Sequence, residues 1–271
     1  MAQTIAWTSN TVPGSLSVTG IAADTSAHVS NADGRCPRCE RHRWEYQCPG
    51  VTPGTHIALT LCGTATATAN NSAALTVTAP TGVVAGDLLV MFGAAAGVTL
   101  SGVTGFSGSP NTVAGDVNAR AYVRVADGTE TTFPITLSGA SSVGAAICAA
   151  YSGPAAIDPR SLPAPYVTAA AGTAVAVPGV ALTGQQDWLA WFGAGLGTGT
   201  TSFTITPPAG FTAQATVAEF NNGTVEAGMV FADLESAQPP GATGVQTGTL
   251  SGAHHAAGWL VGINSGFLDF F

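Results

Sequence analysis

The residues best suited to chemistry in this 271-residue chain are four cysteines near its start. Cys36 and Cys39 form a Cys-Pro-Arg-Cys turn, Cys48 follows after eight residues and Cys62 after thirteen more. A Cys-x2-Cys turn lets two thiolates reach one ion, and a second pair of thiolates completes the tetrahedral site that Zn(II) takes in proteins. The pattern therefore predicts a closed structural zinc site, whose ion replaces the core that so small a segment lacks.

The sequence leaves alternative ligands and alternative states of these thiols open. His42 and His56 lie in the same stretch and are alternative zinc ligands. Because the second pair of cysteines lacks the Cys-x2-Cys spacing, disulfides are the main alternative to zinc, and they persist in oxidising surroundings. Free thiols are the third interpretation. The fifth cysteine, Cys148, lies in the apolar run 145–150 and is predicted to be a core residue.

The same stretch carries the densest positive charge of the chain. Four of the seven basic residues lie within nine positions, and all are arginines: Arg35, Arg38, Arg41 and Arg43. One interpretation of this cluster is a solvated loop face. The functional interpretation is a docking patch for an acidic partner, because complementary charge steers association.

Composition restricts the class of protein. Only 8% of the residues are charged, against roughly 25% in an ordinary soluble domain. The hydrophobic content of 46% excludes wholesale disorder, and a net charge of −8 argues against nucleic-acid binding as the main role. No apolar run approaches the roughly 18 residues of a membrane span, and the first residues do not resemble a secretory signal. We therefore expect a protein made in a cytoplasm that covers its weakly charged surface by assembly, as a homo-oligomer or with other subunits.

The pattern after residue 65 is typical of short β-strands. Apolar and polar residues alternate in 74–78 and 121–125. Clusters of Gly, Pro, Asn and Asp separate such runs, for example at 79–82 and 221–223. Segments rich in Gly and Thr disfavour helices. The fold class predicted from these patterns is all-β.

Two halves of this region look like copies of one pattern. The first match has an offset of 100 residues, and the offset grows to 113 along the chain, as loop insertions would cause. Four blocks match in the same order: 86–94 with 186–194, 105–106 with 210–211, 125–127 with 231–233, and 136–140 with 249–253.

Each half contains about four predicted strands. The sequence therefore predicts a jelly-roll-like antiparallel β-sandwich over residues 66–271 with a single core, built from the halves 66–160 and 166–264. A small Cys- and Arg-rich segment, residues 1–65, precedes it. Two separate small sandwiches in tandem are the alternative.

Two tryptophans are candidates for surface contacts. Trp188 and Trp191 are three residues apart, so on a strand their side chains would face opposite sides. The outward ring could then stack on a glycan or lie in an interface. In the alternative interpretation, both rings are partly buried at a bend. Asp87 and Asp187 occupy matched positions before a strand, where we expect side-chain hydrogen bonds to the backbone.

The strings PTGVVAGDLLVMF, ARAYVRVADGTE and AAICAAYSG, with GF between the first two, resemble a pattern in virion proteins of tailed bacteriophages. The resemblance is to minor tail and capsid-decoration proteins especially, and it covers about residues 66–264. It implies a β-sandwich displayed on a particle and a location in the virion. Such families include decoration, tail-tip and host-surface-binding members, and the resemblance implies no catalytic residue.

We therefore expect a virion structural protein without enzymatic activity. The chain has no G-x-S-x-G, P-loop or H-E-x-x-H motif, and the pair His254–His255 has no carboxylate near it in sequence. Residues 1–65 are expected to attach the chain to other virion proteins of the capsid or tail, while the sandwich stabilises the particle surface. A carbohydrate-binding adhesin for the host surface is the alternative function.

Overall fold

The computed structural model of the chain describes residues 59–139, 143–152, 155–157, 163–182, 187–198 and 202–265, together with the backbone of two short strands before them. The chain divides into two units, Met1–His56 and Ile57–Phe271, and each is described by itself. In the first unit, β1 (Trp7–Ser9) pairs antiparallel with β2 (Leu16–Val18). Throughout the described residues no helix is long and apolar enough to cross a membrane.

The described part of the second unit consists of strands and their connections. The strands that precede residue 153 are β3 (Thr60–Asn70), β4 (Ala74–Thr78), β5 (Leu88–Ala96), β6 (Ser107–Gly108), β7 (Thr112–Ala114), β8 (Val117–Val125), β9 (Thr132–Thr136) and β10 (Val143–Ser152). The later strands are β11 (Ala155–Ile157), β12 (Tyr166–Val167), β13 (Gly172–Val177), β14 (Ala181–Leu182), β15 (Asp187–Thr198), β16 (Ile205–Thr206), β17 (Thr212–Asn221), β18 (Val225–Gln238), β19 (Gly241–Ala242) and β20 (Gln246–Ser265).

Two antiparallel sheets form the centre of this unit. The first sheet has the order β3-β10-β5-β8, with the short strands β6 and β7 on the far side of β8. The second sheet has the order β11-β20-β15-β18-β17, and β12 also pairs with β20. The all-β, antiparallel class predicted from the sequence is confirmed, and the packing is that of a β-sandwich. The jelly-roll connectivity stays a prediction.

Alternating side chains fill three apolar cores. The shared core lies between the two sheets. A second core separates the first sheet from the β4–β9 pair, and a third core separates the second sheet from a layer that includes β13. Strand β5 is therefore covered on both faces, which explains why its sequence LLVMFGAAA is apolar throughout. The sequence predicted a single core for the two halves, and the structure adds a core on the outer face of each sheet.

Aromatic rings mark the middle of the shared core. Phe92 of β5 and Phe192 of β15, which match at the offset of 100, contact each other across the two sheets with ring centroids 5.8 Å apart. Phe192 also stacks on Phe231 at 4.7 Å and on Trp259 at 5.7 Å. Both phenylalanines are completely buried. The centre of each half thus packs against the centre of the other.

Strand register tests the sequence alignment of the two halves. Val90 pairs with Val123, whereas Ala190, which matches Val90, pairs with Asp233. By this register the first match places Asp233 opposite Val123, four residues from Asp127, so the two sequence matches do not share one register. The descent of both halves from one duplicated unit stays a prediction.

The edge strand β3 begins earlier than the sequence indicated. It pairs with β10 from Thr60 to Asn70, so the boundary placed after residue 65 lies inside this strand. The residues that can be removed without cutting the sheet therefore end near His56.

Polar contacts join the two sheets at one end of the shared core. The Asn70 side-chain amide donates a hydrogen bond to the Asn221 carbonyl at 3.1 Å, and the Asn222 amide donates to Asn71 Oδ1 at 3.1 Å. Tyr151, which pairs with Leu61 near the start of β3, lies at the opposite end.

Candidate functional site

Most of the predicted zinc ligands and the arginine patch lie outside the described residues. These are Cys36, Cys39, Cys48, His42, His56, Arg35, Arg38, Arg41 and Arg43. Cys62 is described: it is half-buried on β3, with its Sγ 3.8 Å from the Thr60 carbonyl and 3.9 Å from Asp87 Oδ2. The described side chains include no group of three or more His, Cys, Asp or Glu residues that could hold a metal ion. The zinc site and the docking patch therefore stay predictions.

Two structural predictions about single residues are confirmed. Asp87 Oδ2 accepts a hydrogen bond from the Val84 backbone N–H at 2.8 Å and so closes the turn before β5. The side chain of Asp187 lies outside what the structure describes. Cys148 is completely buried in the core under β4 and β9, and this burial raises the pKa of its thiol far above the usual value.

The two tryptophans face opposite sides of β15, as predicted, but both sides are covered. Trp191 is 0% exposed and lies in the outer core of the second sheet, against Gly193 and Gly248. The prediction that it contacts a glycan or an interface is therefore wrong. Trp188 is half-buried at the end of the shared core, with its ring edge against Tyr151 at a centroid distance of 6.4 Å.

The histidine pair lies within strand β20. His254 is 6% exposed on β20, and its Nδ1 lies 2.9 Å from Oε1 of Glu226, which is also buried. The Phe203 ring covers the imidazole at 4.3 Å. Pairing between distant strands supplies the carboxylate that the local sequence lacked, and the burial of both groups indicates a structural contact.

A different set of side chains forms the strongest candidate site. At one end of the shared core, Tyr151 of the first sheet lies edge-on against Trp188 and close to Asp233 of the second sheet, where Gln214 joins Asp233 to Glu235. We call these five residues the inter-sheet acid cluster.

Two β-bulges contribute to this arrangement. The register of β17 against β18 shifts between Ala213 and Ala215, at Gln214, and the register of β15 against β18 shifts at Trp188. An extra residue in one strand of a pair bends that strand and redirects its side chains. The bulges therefore account for how Gln214 and Trp188 come to lie in the cluster. Such bulges are frequent beside functional sites.

One amide holds the two carboxylates of the cluster. Gln214 Nε2 donates to Asp233 Oδ1 at 2.8 Å and to Glu235 Oε1 at 3.3 Å. Asp233 and Tyr151 are both 0% exposed, whereas Glu235 is exposed. The second carboxylate oxygen of Asp233 and the Tyr151 hydroxyl are buried without a hydrogen-bond partner in the structure. Such unsatisfied buried groups are rare and costly.

Burial controls the protonation of this cluster. It raises the pKa of Asp233 from 3.8 to about 6; the hydrogen bond from Gln214 opposes this rise, and the negative charge of Glu235 adds to it. The pKa of Tyr151 is raised well above 10 by burial first, and then by the nearby Asp233 and Glu235. Asp233 therefore exchanges a proton near pH 6, and the Tyr151 phenol stays neutral at that pH.

The geometry limits what the cluster can do chemically. Asp233 is sealed from solvent, so it can hold a proton, but a dissolved substrate does not reach it. The accessible part consists of the exposed Glu235 carboxylate, the half-buried Gln214 amide and the half-buried Trp188 ring. This part is suited to binding a polar ligand.

The sequence analysis missed this cluster although one signal was present. Asp233 interrupts the apolar run Met229–Leu234, and carboxylates are almost never fully buried unless they are paired. Its partners Tyr151 and Gln214 are 82 and 19 residues away. Only the strand pairing brings them together.

No protein family model matches the chain, and no curated protein or solved structure matches it either.

Proposed function

We propose that this chain is a structural protein of a tailed-phage virion, of the capsid-decoration or minor tail type, that is displayed on the particle and acts by binding without turnover. The observation that carries the proposal is the pair of uncharged outer faces. On β4 and β9 the exposed side chains are Ala74, Thr76, Thr78, Thr132, Pro134 and Thr136. On the outer layer of the second sheet they include Thr173, Ala174, Thr206, Thr247, Thr249 and Ser251.

These faces are suited to packing against neighbouring subunits. Uncharged side chains cost less to cover than charged ones, because buried charges must be paired. The cores of interfaces are likewise depleted of charged residues. Together with the resemblance to virion proteins, this supports contacts with copies of the same chain or with other capsid or tail proteins.

The proposal assigns attachment to the first unit. A variant that lacks residues 2–56 should fold but should be lost from particles, because it keeps the sheets and removes the segment with the cysteine and arginine clusters. Its content relative to the full chain would be measured by quantitative immunoblotting of purified particles, after circular dichroism shows that the variant is folded.

A replacement control separates the two clusters of that segment. The four substitutions Arg35→Ser, Arg38→Ser, Arg41→Ser and Arg43→Ser should reduce incorporation if charge carries the docking, and they leave the cysteines intact. Incorporation of the truncated chain at the level of the full chain would contradict attachment through residues 1–56.

A second candidate function, host-surface carbohydrate binding, is favoured by the accessible part of the inter-sheet acid cluster. An aromatic ring offers an apolar face to a sugar ring, and Trp188 is the half-buried aromatic there. The Glu235 carboxylate and the Gln214 amide supply acceptors and a donor for sugar hydroxyls.

This second candidate predicts a loss of glycan binding from one substitution. If the full chain binds members of an array of bacterial surface polysaccharides, Trp188→Ala should weaken that binding several-fold, since an aromatic contact is worth on the order of 1 kcal/mol. The control is Val125→Ala, which alters an exposed apolar residue on the first sheet. Absence of binding by the unchanged chain would leave the structural function alone.

A further inference from the structure

We infer that Asn222 is a site of spontaneous deamidation in the folded protein, and that its conversion to aspartate or isoaspartate breaks a contact between the two sheets. The modification site lies in the turn between β17 and β18, at one end of the shared core. The inference goes beyond the proposed virion function and does not depend on it.

The sequence supplies the reactive pair. Asn222–Gly223 is the one asparagine–glycine pair in the chain. The backbone nitrogen that follows an asparagine can attack its side-chain amide carbon, and glycine shields this nitrogen least because it has no Cβ. Gly223 is exposed with a φ of 88°, and a Cβ built on it would meet no atom within 4 Å. The pair is therefore accessible to the water that the reaction requires.

The turn also polarises the carbonyl that is attacked. Asn222 Oδ1 accepts hydrogen bonds from the backbone N–H of Thr224 at 3.0 Å and of Val225 at 2.9 Å. Two donors on a carbonyl oxygen stabilise the negative charge that develops on it in the transition state. The Gly223 N–H lies outside the paired strands and donates to Asn221 Oδ1 at 3.2 Å. No hydrogen bond between strands therefore has to break before this nitrogen reacts.

The reaction balances with water alone. The Gly223 nitrogen gives its proton to hydroxide and bonds to Cγ of Asn222, while the bond from Cγ to Nδ2 breaks. The amide nitrogen takes a proton from water and leaves as ammonia. Water then opens the resulting succinimide ring at either carbonyl carbon. The products are aspartate or isoaspartate at this position, and no oxidant or reductant takes part.

Either product breaks the contact that Asn222 makes with the first sheet. Its Nδ2 donates to Asn71 Oδ1 at 3.1 Å, whereas a carboxylate has no hydrogen to donate, so two acceptors would face each other. Isoaspartate also lengthens the backbone within the turn and displaces the Asn222 N–H, which donates to the Val225 carbonyl at 3.1 Å. Of the two described side-chain contacts at this end, the one from Asn70 to Asn221 remains.

The test is incubation of the folded full chain in a mildly alkaline buffer, followed by peptide mapping with mass spectrometry. Each asparagine is scored for the exchange of its amide nitrogen for oxygen, and an isoaspartate methyltransferase assay identifies the rearranged product. Asn222 should convert several-fold faster than Asn70, Asn71 and Asn221, which are internal controls because none of them precedes glycine. Gly223→Ala should slow the conversion several-fold, because its methyl group shields the nitrogen.

Two results would overturn the site. The first is conversion of Asn222 no faster than that of the control asparagines. The second is conversion that occurs only after the chain has been unfolded in urea, because it would mean that the folded turn protects the pair.

Two charge-matched variants test the consequence for the sheets. Asn222→Asp should lower the urea midpoint of unfolding, measured by circular dichroism, because it removes the donor to Asn71. Asn71→Asp adds the same charge but keeps an acceptor for the Asn222 amide, so it should not lower the midpoint. Equal midpoints for the two variants would overturn the loss of the contact between the sheets.

Discussion

Replacing Phe192 by alanine should lower the free energy of unfolding by about 3–5 kcal/mol, the usual cost of removing a large buried aromatic side chain. The ring is completely buried and stacks on Phe231 and Trp259 within its own sheet. It also contacts Phe92 of the opposite sheet. The substitution therefore opens a cavity where the two sheets meet. Urea denaturation monitored by circular dichroism would measure the loss.

The control for this experiment is Val245→Ala, because Val245 is 63% exposed and its truncation should change stability by less than about 0.5 kcal/mol. A loss of less than about 1 kcal/mol for Phe192→Ala would contradict the tight packing of this ring in the shared core.

The second large effect is expected from Gly248→Ala, at about 1–3 kcal/mol of lost stability, which is typical of overpacking. A Cβ atom at this position would lie 2.6 Å from Cη2 of Trp191 and 2.9 Å from the Thr206 carbonyl oxygen. Neither the buried ring nor the backbone can move away easily. The same method measures the change.

Two further variants distinguish overpacking from a general effect of alanine. Gly172→Ala in β13 meets no atom within 4 Å and should be nearly neutral. In a Trp191→Phe background, Gly248→Ala should cost less than it does in the natural chain, because the smaller ring leaves room and neighbouring sites are not additive. An equal cost in both backgrounds would show that the Trp191 ring is not what excludes a side chain at this position.

The strand architecture could be predicted because it is encoded locally. The alternation in β4 and the continuous apolar run in β5 follow directly from whether a strand is covered on one face or on both. The match between the centres of β5 and β15 was also visible in the sequence. What the sequence could not supply was the packing partner: Trp191 reads as a candidate surface residue until a further layer is known to cover it.

The acid cluster was missed because long-range pairing creates it. Asp127 and Asp233 look equivalent in sequence, because each follows an apolar residue and an alanine. Asp127 is exposed, and hydrogen bonds from Thr129, followed by the charge of Arg124, lower the pKa of its carboxyl. The carboxyl of Asp233 is buried, and its pKa is raised. Their environments differ because one follows the end of β8 and the other lies within the longer β18.

The central claim is that the chain is displayed on a virion. The most direct test is electron microscopy of intact, purified particles labelled with an antibody raised against residues 57–271. We expect labels at the same position on the capsid or the tail of each particle. Unlabelled particles that also lack the chain by mass spectrometry would contradict it.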